Sequence, residues 1–321
     1  MQSNSNAGPC TRVASARLTA GKRIMVPNPL ILTENHFFRH RRHYPIATRF
    51  AIAADLEYNG YELTDADPKD DTTWSQVQNE LDRTGMQQIG MYVVVRAMPG
   101  VHIDTELARV GECIERLSSL GRTAFLVLTM TVAPWSPTKL FHKSGSAEAT
   151  ALHWQQAAQV IRAVDSMLVA KRMPGYLYNH AGFLIDTPGV EERLLTEVQP
   201  CNIAPGFSSF HAYFHEAVAD PPEILSSPVM GRVGYVALHS GFPKPEPYRT
   251  AFLDEGQIDI AGLLGLLWER GYRGPLALQA YDLGGDPYVS AERQMRYVRS
   301  VWERFQRDPH LNPAHADPTR R

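Results

Sequence analysis

The sequence predicts a single α/β domain, a (β/α)8 barrel, and three observations carry that expectation. Apolar strand-like runs alternate with amphipathic stretches from residue 22 to 307, and eight strands are countable, opening at residues 23, 61, 87, 123, 175, 201, 233 and 276. At 321 residues the chain is long for an ordinary domain, yet one barrel routinely runs to about 250 residues or more. Polar residues, His239 and Gln279, close the last two strands, and barrel enzymes keep their chemistry at strand C-terminal ends. No G-x-G-x-x-G follows a strand and no phosphate loop occurs, which disfavours a nucleotide-binding sheet.

In chain order, RIMVPNPLIL (23–32) reads as the first strand, and the segment 44–56 places Ile46, Phe50, Ile52, Ala53 and Leu56 on one helical face. Asn59-Gly60 is a turn before the strand 61–64. Thr73 is expected to cap a helix from Trp74 to Thr84, closed by Gly85. The strand 87–95, a helix from Asp104 to Leu120 closed by Gly121, and the strand 123–131 follow. The connection 132–149, with Trp135, His142 and Lys143, exceeds the usual βα loop of about 2–6 residues and is a lid candidate. Then come a helix 152–171, a strand 175–183, a helix 191–198, a strand with its exit at 201–211 and a short helical piece at 221–225. The stretch from Arg232 to Asp282 repeats the unit as strand, helix, strand, and Ser290–Phe305 forms the last helix. A polar leader (1–21) and a proline-bearing tail (308–321) are expected to be disordered.

Composition narrows the function classes. Thirty-two basic against thirty-four acidic residues give a net charge of −2, which removes the basic footprint of a general nucleic-acid binder. The basic run Arg39-His40-Arg41-Arg42-His43 reads as a solvated loop or as an anion contact at the mouth. Cys10, Cys113 and Cys201 are odd in number and far apart, so neither a disulfide framework nor a cysteine zinc site is indicated, and a reducing cytoplasm is expected. No apolar stretch is long enough for a membrane span or a signal peptide. The expected partner is a small-molecule substrate, with no nucleic acid and no membrane; a homo-oligomer is left open.

Six ordered pieces carry a resemblance: Asn59-Gly60-Tyr61-Glu62-Leu63, Asn179-His180-Ala181-Gly182, Ser208-Ser209-Phe210-His211, Leu238-His239, Asp254 to Asp259, and Gly271 to Leu276. Together they resemble the xylose isomerase-like TIM-barrel superfamily, which contains sugar-phosphate isomerases and epimerases and endonuclease IV-like proteins. The resemblance implies a divalent metal held by Glu, Asp, His and Glu at the ends of strands five to eight. The matching positions here are Tyr178, Ser208, His239 and Gln279, so only the histidine is kept. A hard divalent ion wants anionic oxygen ligands, which a phenol, a hydroxyl and an amide do not supply.

The expectation is therefore an enzyme of isomerase or epimerase ancestry working without that metal or another cofactor, on a small polar or cyclic metabolite. His239, His211, His180 and Glu62 are the candidate acid/base groups, since imidazoles titrate near neutrality. Tyr178, Gln279, Asn179, Ser208 and Trp135 are the candidate substrate contacts. Zinc or another divalent metal on His180, His211 and His239 is the alternative cofactor reading. His215, His142, His153, Tyr281 and Asp282 form a second tier near the mouth. Each histidine has a plain alternative as a hydrogen-bonded packing residue, and loss of three charged ligands also suits a non-catalytic binding protein of the same fold. Endonuclease chemistry is set aside for want of a metal cluster and a basic surface. Aromatics in the C-terminal loops, among them Phe207, Phe210, Tyr213, Phe214, Phe242 and Tyr248, point to a pocket for a cyclic or aromatic molecule.

Overall fold

A computed structural model describes residues 26–38, 44–65, 70–98, 100–132, 145–214, 224–242 and 249–312. Trp135, His142, Lys143, His215, Tyr248, the basic run 39–43, the leader and most of the 132–149 loop lie outside the described residues.

The described chain runs β1 (Leu30–Thr33), α1 (Ile46–Asp55), β2 (Gly60–Thr64), α2 (Asp71–Thr84), β3 (Gln88–Arg96), α3 (Ile103–Ser119), β4 (Thr123–Thr131), α4 (Ala151–Lys171), β5 (Gly175–Leu177) and α5 (Pro188–Val198). It continues through β6 (Ile203–Ala204), β7 (Gly206–Ser208), α6 (Ser209–Phe214), β8 (Tyr235–Leu238), β9 (Ser240–Phe242), β10 (Arg249–Ala251), α7 (Ile260–Glu269), β11 (Leu276–Leu278) and α8 (Pro287–Arg307). The parallel sheet has the order β6-β5-β4-β3-β2-β1-β11-β8-β7. Its two ends are halves of one stave: β6 pairs with β5 and β7 with β8, and Pro205 stands between them. Proline has no N–H to donate to a ladder, so the break falls where pairing changes sides and the sheet closes. The result is a single TIM barrel of eight staves, as expected.

Several boundaries differ from the sequence reading. The first strand begins at Leu30, not residue 23; Pro27 and Pro29 precede it, and the Pro29 carbonyl instead accepts from Leu276 N at 2.8 Å. Asp70, not Thr73, caps α2, its side chain accepting from Thr73 N, while Gly85 closes the helix at φ 68° as expected. The fifth strand stops at Leu177, and the residues to Phe183 form turns rather than strand. The sixth stave ends at Ser208 and His211 sits on the short helix α6. An antiparallel hairpin, β9 with β10, rises directly after His239 and was not foreseen. The expected tail opens with an ordered turn at Pro309–Leu311, anchored by Asn312 Nδ2 donating to Glu269 Oε1 at 2.9 Å.

Staves present alternate residues to the barrel lumen. Ile31, Phe125, Val127, Tyr178, Tyr235, Ala237 and Ala277 form one buried interior cluster with Tyr92 and Tyr176 packed on it. Space for these rings comes from glycine: a Cβ on Gly90 would lie 2.2 Å from the Phe125 ring. The same alternation carries the inward face from Tyr176 to Tyr178, from Ala237 to His239 and from Ala277 to Gln279. These three side chains meet at the C-terminal mouth for that reason.

Candidate active site

A cavity of about 780 Å3 opens at that mouth. Glu62, Tyr178, His180, His211, His239 and Gln279 all line it, with Asp65, Arg96 and Arg109 on one wall and Arg249 on the hairpin. Tyr281 and Asp282 of the second tier line it too. His153 does not; it belongs to the N-terminal capping box of α4 with Thr150.

Glu62 is 3% exposed, and its Oε2 accepts from the Tyr235 hydroxyl at 2.7 Å. Burial pushes its carboxyl up to about 7, against the opposing pull of the Tyr235 hydrogen bond. A carboxyl in that range is half-ionised near neutral pH and can take or give a proton. His239 is 2% exposed, and neither ring nitrogen has a hydrogen-bond partner among the described residues. Burial, with lesser repulsion from His36 and His180, lowers it to about 3, so it stays a neutral imidazole. Two unpaired polar atoms in a buried ring are costly unless a ligand or water meets them.

The three positions where the resemblance implies carboxylates are joined to one another. Ser208 Oγ donates to the Tyr178 hydroxyl at 3.1 Å, and that hydroxyl donates to Gln279 Oε1 at 3.1 Å. Burial raises the Tyr178 phenol, so it stays a neutral donor. With its carbonyl oxygen engaged, Gln279 offers its amide N–H2 to the cavity. Asn179 and Ser208 are not lining residues: both are fully buried behind the wall, where Asn179 Oδ1 accepts from Ser208 N at 2.9 Å. Both brace the Tyr178 network, Asn179 through Ser208 N and Ser208 through its hydroxyl.

His180 and His211 are brought together, ring centroids 3.9 Å apart, and His180 stacks on Phe183 at 4.1 Å. Burial lowers His180 to about 4. His239 instead packs against Phe210 at 4.9 Å. The donor set differs from the carboxylate-rich one that the resemblance implies. Tyr178, Ser208 and Gln279 spend their oxygens on each other, two histidines lie ring on ring, and among the described residues no three His, Cys, Asp or Glu side chains converge as ligands.

Arg96, Arg109 and Asp65 were missed, although Asp65 follows directly on β2 and Arg96 ends β3, the same strand-end signal that marked His239. Arg109 bonds Asp65 at 2.6 Å and Glu106 at 2.8 Å, and Arg96 bonds Glu106 at 2.5 Å. Arg249 sits on an unforeseen hairpin and carried no sequence signal.

A family model described as xylose isomerase-like TIM barrel matches residues 50–301. No curated protein matches the chain in sequence. Among solved structures, L-ribulose 3-epimerase superposes with a TM-score of 0.67 at 16% identity, covering 91% of this chain and 100% of that one. The probable 3-DHS dehydratase AsbF of Bacillus anthracis gives 0.65 at 14% identity over 84% and 98% of the two chains. The AP endonuclease, family 2, of Brucella melitensis gives 0.62 at 16% over 82% and 96%. At these identities the likeness shows the fold.

Proposed function

We propose that this chain, which belongs to the xylose isomerase-like TIM-barrel family, catalyses a proton-transfer reaction on a small polar or cyclic metabolite without a metal at the family's usual position. The reaction class is isomerisation, epimerisation or a related lyase step, the range spanned by the epimerases and the dehydratase it resembles. One observation carries the reading: a buried carboxyl poised near neutrality, Glu62, lines the same cavity as a neutral, unpartnered histidine, His239.

Glu62 takes the proton from a carbon next to a carbonyl, and the electron pair moves onto the carbonyl oxygen. His239 and the Gln279 amide donate hydrogen bonds to the oxyanion that develops. A neutral imidazole suits this role, because its N–H needs no desolvation of a charge and sits in a dry site. On an α-hydroxy carbonyl, return of the proton from Glu62 to the former carbonyl carbon, with the hydroxyl proton of the first carbon passing to the oxyanion, gives isomerisation. Epimerisation needs a second carrier that delivers another proton to the opposite face while Glu62 stays protonated; His180 and His211, which also line the cavity, are the candidates. Tyr178 and Ser208 hold Gln279 in place.

Solvent exchange tests this across candidate substrates. A panel of ketoses and cyclic keto acids in D2O, followed by loss of the C–H proton signal, should show exchange that survives chelator and disappears in Glu62→Gln and His239→Ala. Exchange that requires added divalent metal would overturn the metal-independent part. The closed Tyr178–Ser208–Gln279 network favours a second reading, a binding protein that has lost the chemistry. Unchanged exchange in Glu62→Gln, or none in the parent across the panel, would favour it.

A further inference from the structure

The proposed base, Glu62, has a partner that no step of the reaction consumes. Tyr235 on β8 is completely buried and stands three staves round the barrel from β2. Its hydroxyl donates to Glu62 Oε2 at 2.7 Å, a bond between residues 173 positions apart in the chain. Glu62 also lines the cavity, so one carboxyl oxygen is tied down in the lumen and the other is left to the open side.

The Tyr235 ring is held on several sides. It stacks on Tyr176 with centroids 5.6 Å apart, and Phe125 and Tyr178 pack on it at 6.1 and 6.4 Å. Phe125 reaches this position because Gly90, which pairs with Glu62 across the β2–β3 ladder, has no side chain to exclude its ring. Glu62 therefore rests on an aromatic floor into which one hydroxyl is set.

A hydrogen bond donated to an ionised carboxylate is stronger than one donated to the neutral acid, the more so in a dry site. Tyr235 thus favours the charged form of Glu62, against the larger and opposite effect of burial. Three phenols feel that charge, Tyr92 from β3, Tyr178 from β5 and Tyr235 itself, and burial raises all of them, so each stays neutral while Glu62 titrates. On the same wall Glu34 is paired with Arg49 and Asp65 with Arg109, and burial holds His180 and His239 neutral. Arg96, His211, Arg249, Tyr281 and Asp282 complete the titratable lining among the described residues.

We propose that Tyr235 is the positioning residue of the base: its hydroxyl fixes Glu62 through Oε2, turns Oε1 to the substrate and supports the ionised carboxylate that takes the proton. The proposal rests on the reading of Glu62 as the base and adds the group that prepares it. Tyr235 keeps its own proton throughout and touches no reacting atom.

The test observes Glu62 in the full chain carrying 13C at the glutamate side-chain carboxyls, its signal assigned by loss in Glu62→Gln. In the parent this signal should titrate with a midpoint of about 7. In Tyr235→Phe, which removes one oxygen and keeps the ring, the midpoint should rise by about one pH unit or more. Solvent exchange on the panel of ketoses and cyclic keto acids, followed across the same pH range, should show its ascending limb displaced equally. A hydroxyl with a packing role alone would lower the denaturant midpoint of Tyr235→Phe and move neither pH midpoint, which would overturn the proposal and spare Glu62 as the base. A Glu62 signal that moves while the exchange limb stays would overturn Glu62 as the base, and the positioning role with it. Should Tyr235→Phe not fold, tyrosine labelled with 13C at Cζ decides the matter in the parent. One phenol signal should follow the Glu62 midpoint and stand still in Glu62→Gln; the absence of such a signal would overturn the role of Tyr235.

Discussion

At the residue scale the decisive contrast is between Glu62 and His239, two titratable groups that burial drives in opposite senses. Desolvation disfavours charge in both, which raises the acid to about 7 and lowers the imidazole to about 3. If Glu62 is the base, kcat/KM should rise with pH through about 7 with a single ascending limb, since His239 does not titrate above pH 5; a steady-state pH profile checks this. The same shift destabilises the fold. The folded pKa lies above the unfolded one, so the native state binds the proton more tightly, and stability is highest below about 4.5 and falls until the pH passes about 7. A shift of this size corresponds to about 3 kcal/mol. Glu62→Gln keeps an acceptor for the Tyr235 hydroxyl and sheds the charge, so it should abolish turnover yet be more stable than the parent at pH 8. Urea unfolding at pH 5 and pH 8 reads the difference, and a variant no more stable at the higher pH would remove Glu62 from this role. His239 and Gln279 were legible in the sequence as strand-end residues, and Glu62 and Tyr178 through the family resemblance. What joins them was not, because the Tyr178–Gln279 bond spans residues far apart in the chain, and only closure of the barrel makes them neighbours.

At the element scale the sixth stave is the weak point of the closure, and its support explains a buried acid that the chemistry does not use. Pro205 splits β6 from β7, and Gly206 lies so close to the neighbouring stave that a Cβ there would stand 2.1 Å from the Leu177 carbonyl oxygen. Glu191 on α5 bridges the break: its Oε1 accepts from Gly206 N at 2.6 Å, and burial raises its carboxyl well above the usual range, so it is held neutral. Glu191→Gln retains the acceptor and should change stability by less than about 1 kcal/mol, while Glu191→Ala leaves a buried N–H unpaired beside a new void and should cost about 3 kcal/mol. Denaturant midpoints of the two variants decide it; equal losses would mean that the acceptor is not what matters. Eight staves were legible because each apolar run is flanked by a helical period. Their ends were overdrawn where apolar residues continue past the ladder. Phe183 and Phe210 extend two runs, but they line the mouth, Phe210 from α6, rather than pairing in the sheet, and periodicity cannot separate those uses.

At the scale of the whole molecule, fold and family were legible from the order of weak pieces, and the departure from the family was legible from three residues. The structure adds that those three positions are mutually satisfied, which turns a loss of ligands into an alternative arrangement. On the metal-free reading proposed above, the Tyr178–Ser208–Gln279 bonds stand where carboxylates would otherwise repel one another or need an ion to neutralise them. If that is the whole difference, restoring the acids should restore a metal requirement. In the triple variant Tyr178→Glu, Ser208→Asp and Gln279→Glu, three carboxylates crowd beside His239, so the variant should melt below the parent in chelator. Manganese should then raise its Tm as a ligand of the folded state alone does, by about 2.7 kcal/mol of stability at a hundredfold excess over Kd. The parent's Tm should not respond to manganese or to chelator. A parent stabilised by manganese would mean that His239 and its neighbours still hold an ion, and a triple variant indifferent to it would mean that the barrel mouth has changed shape and not only charge.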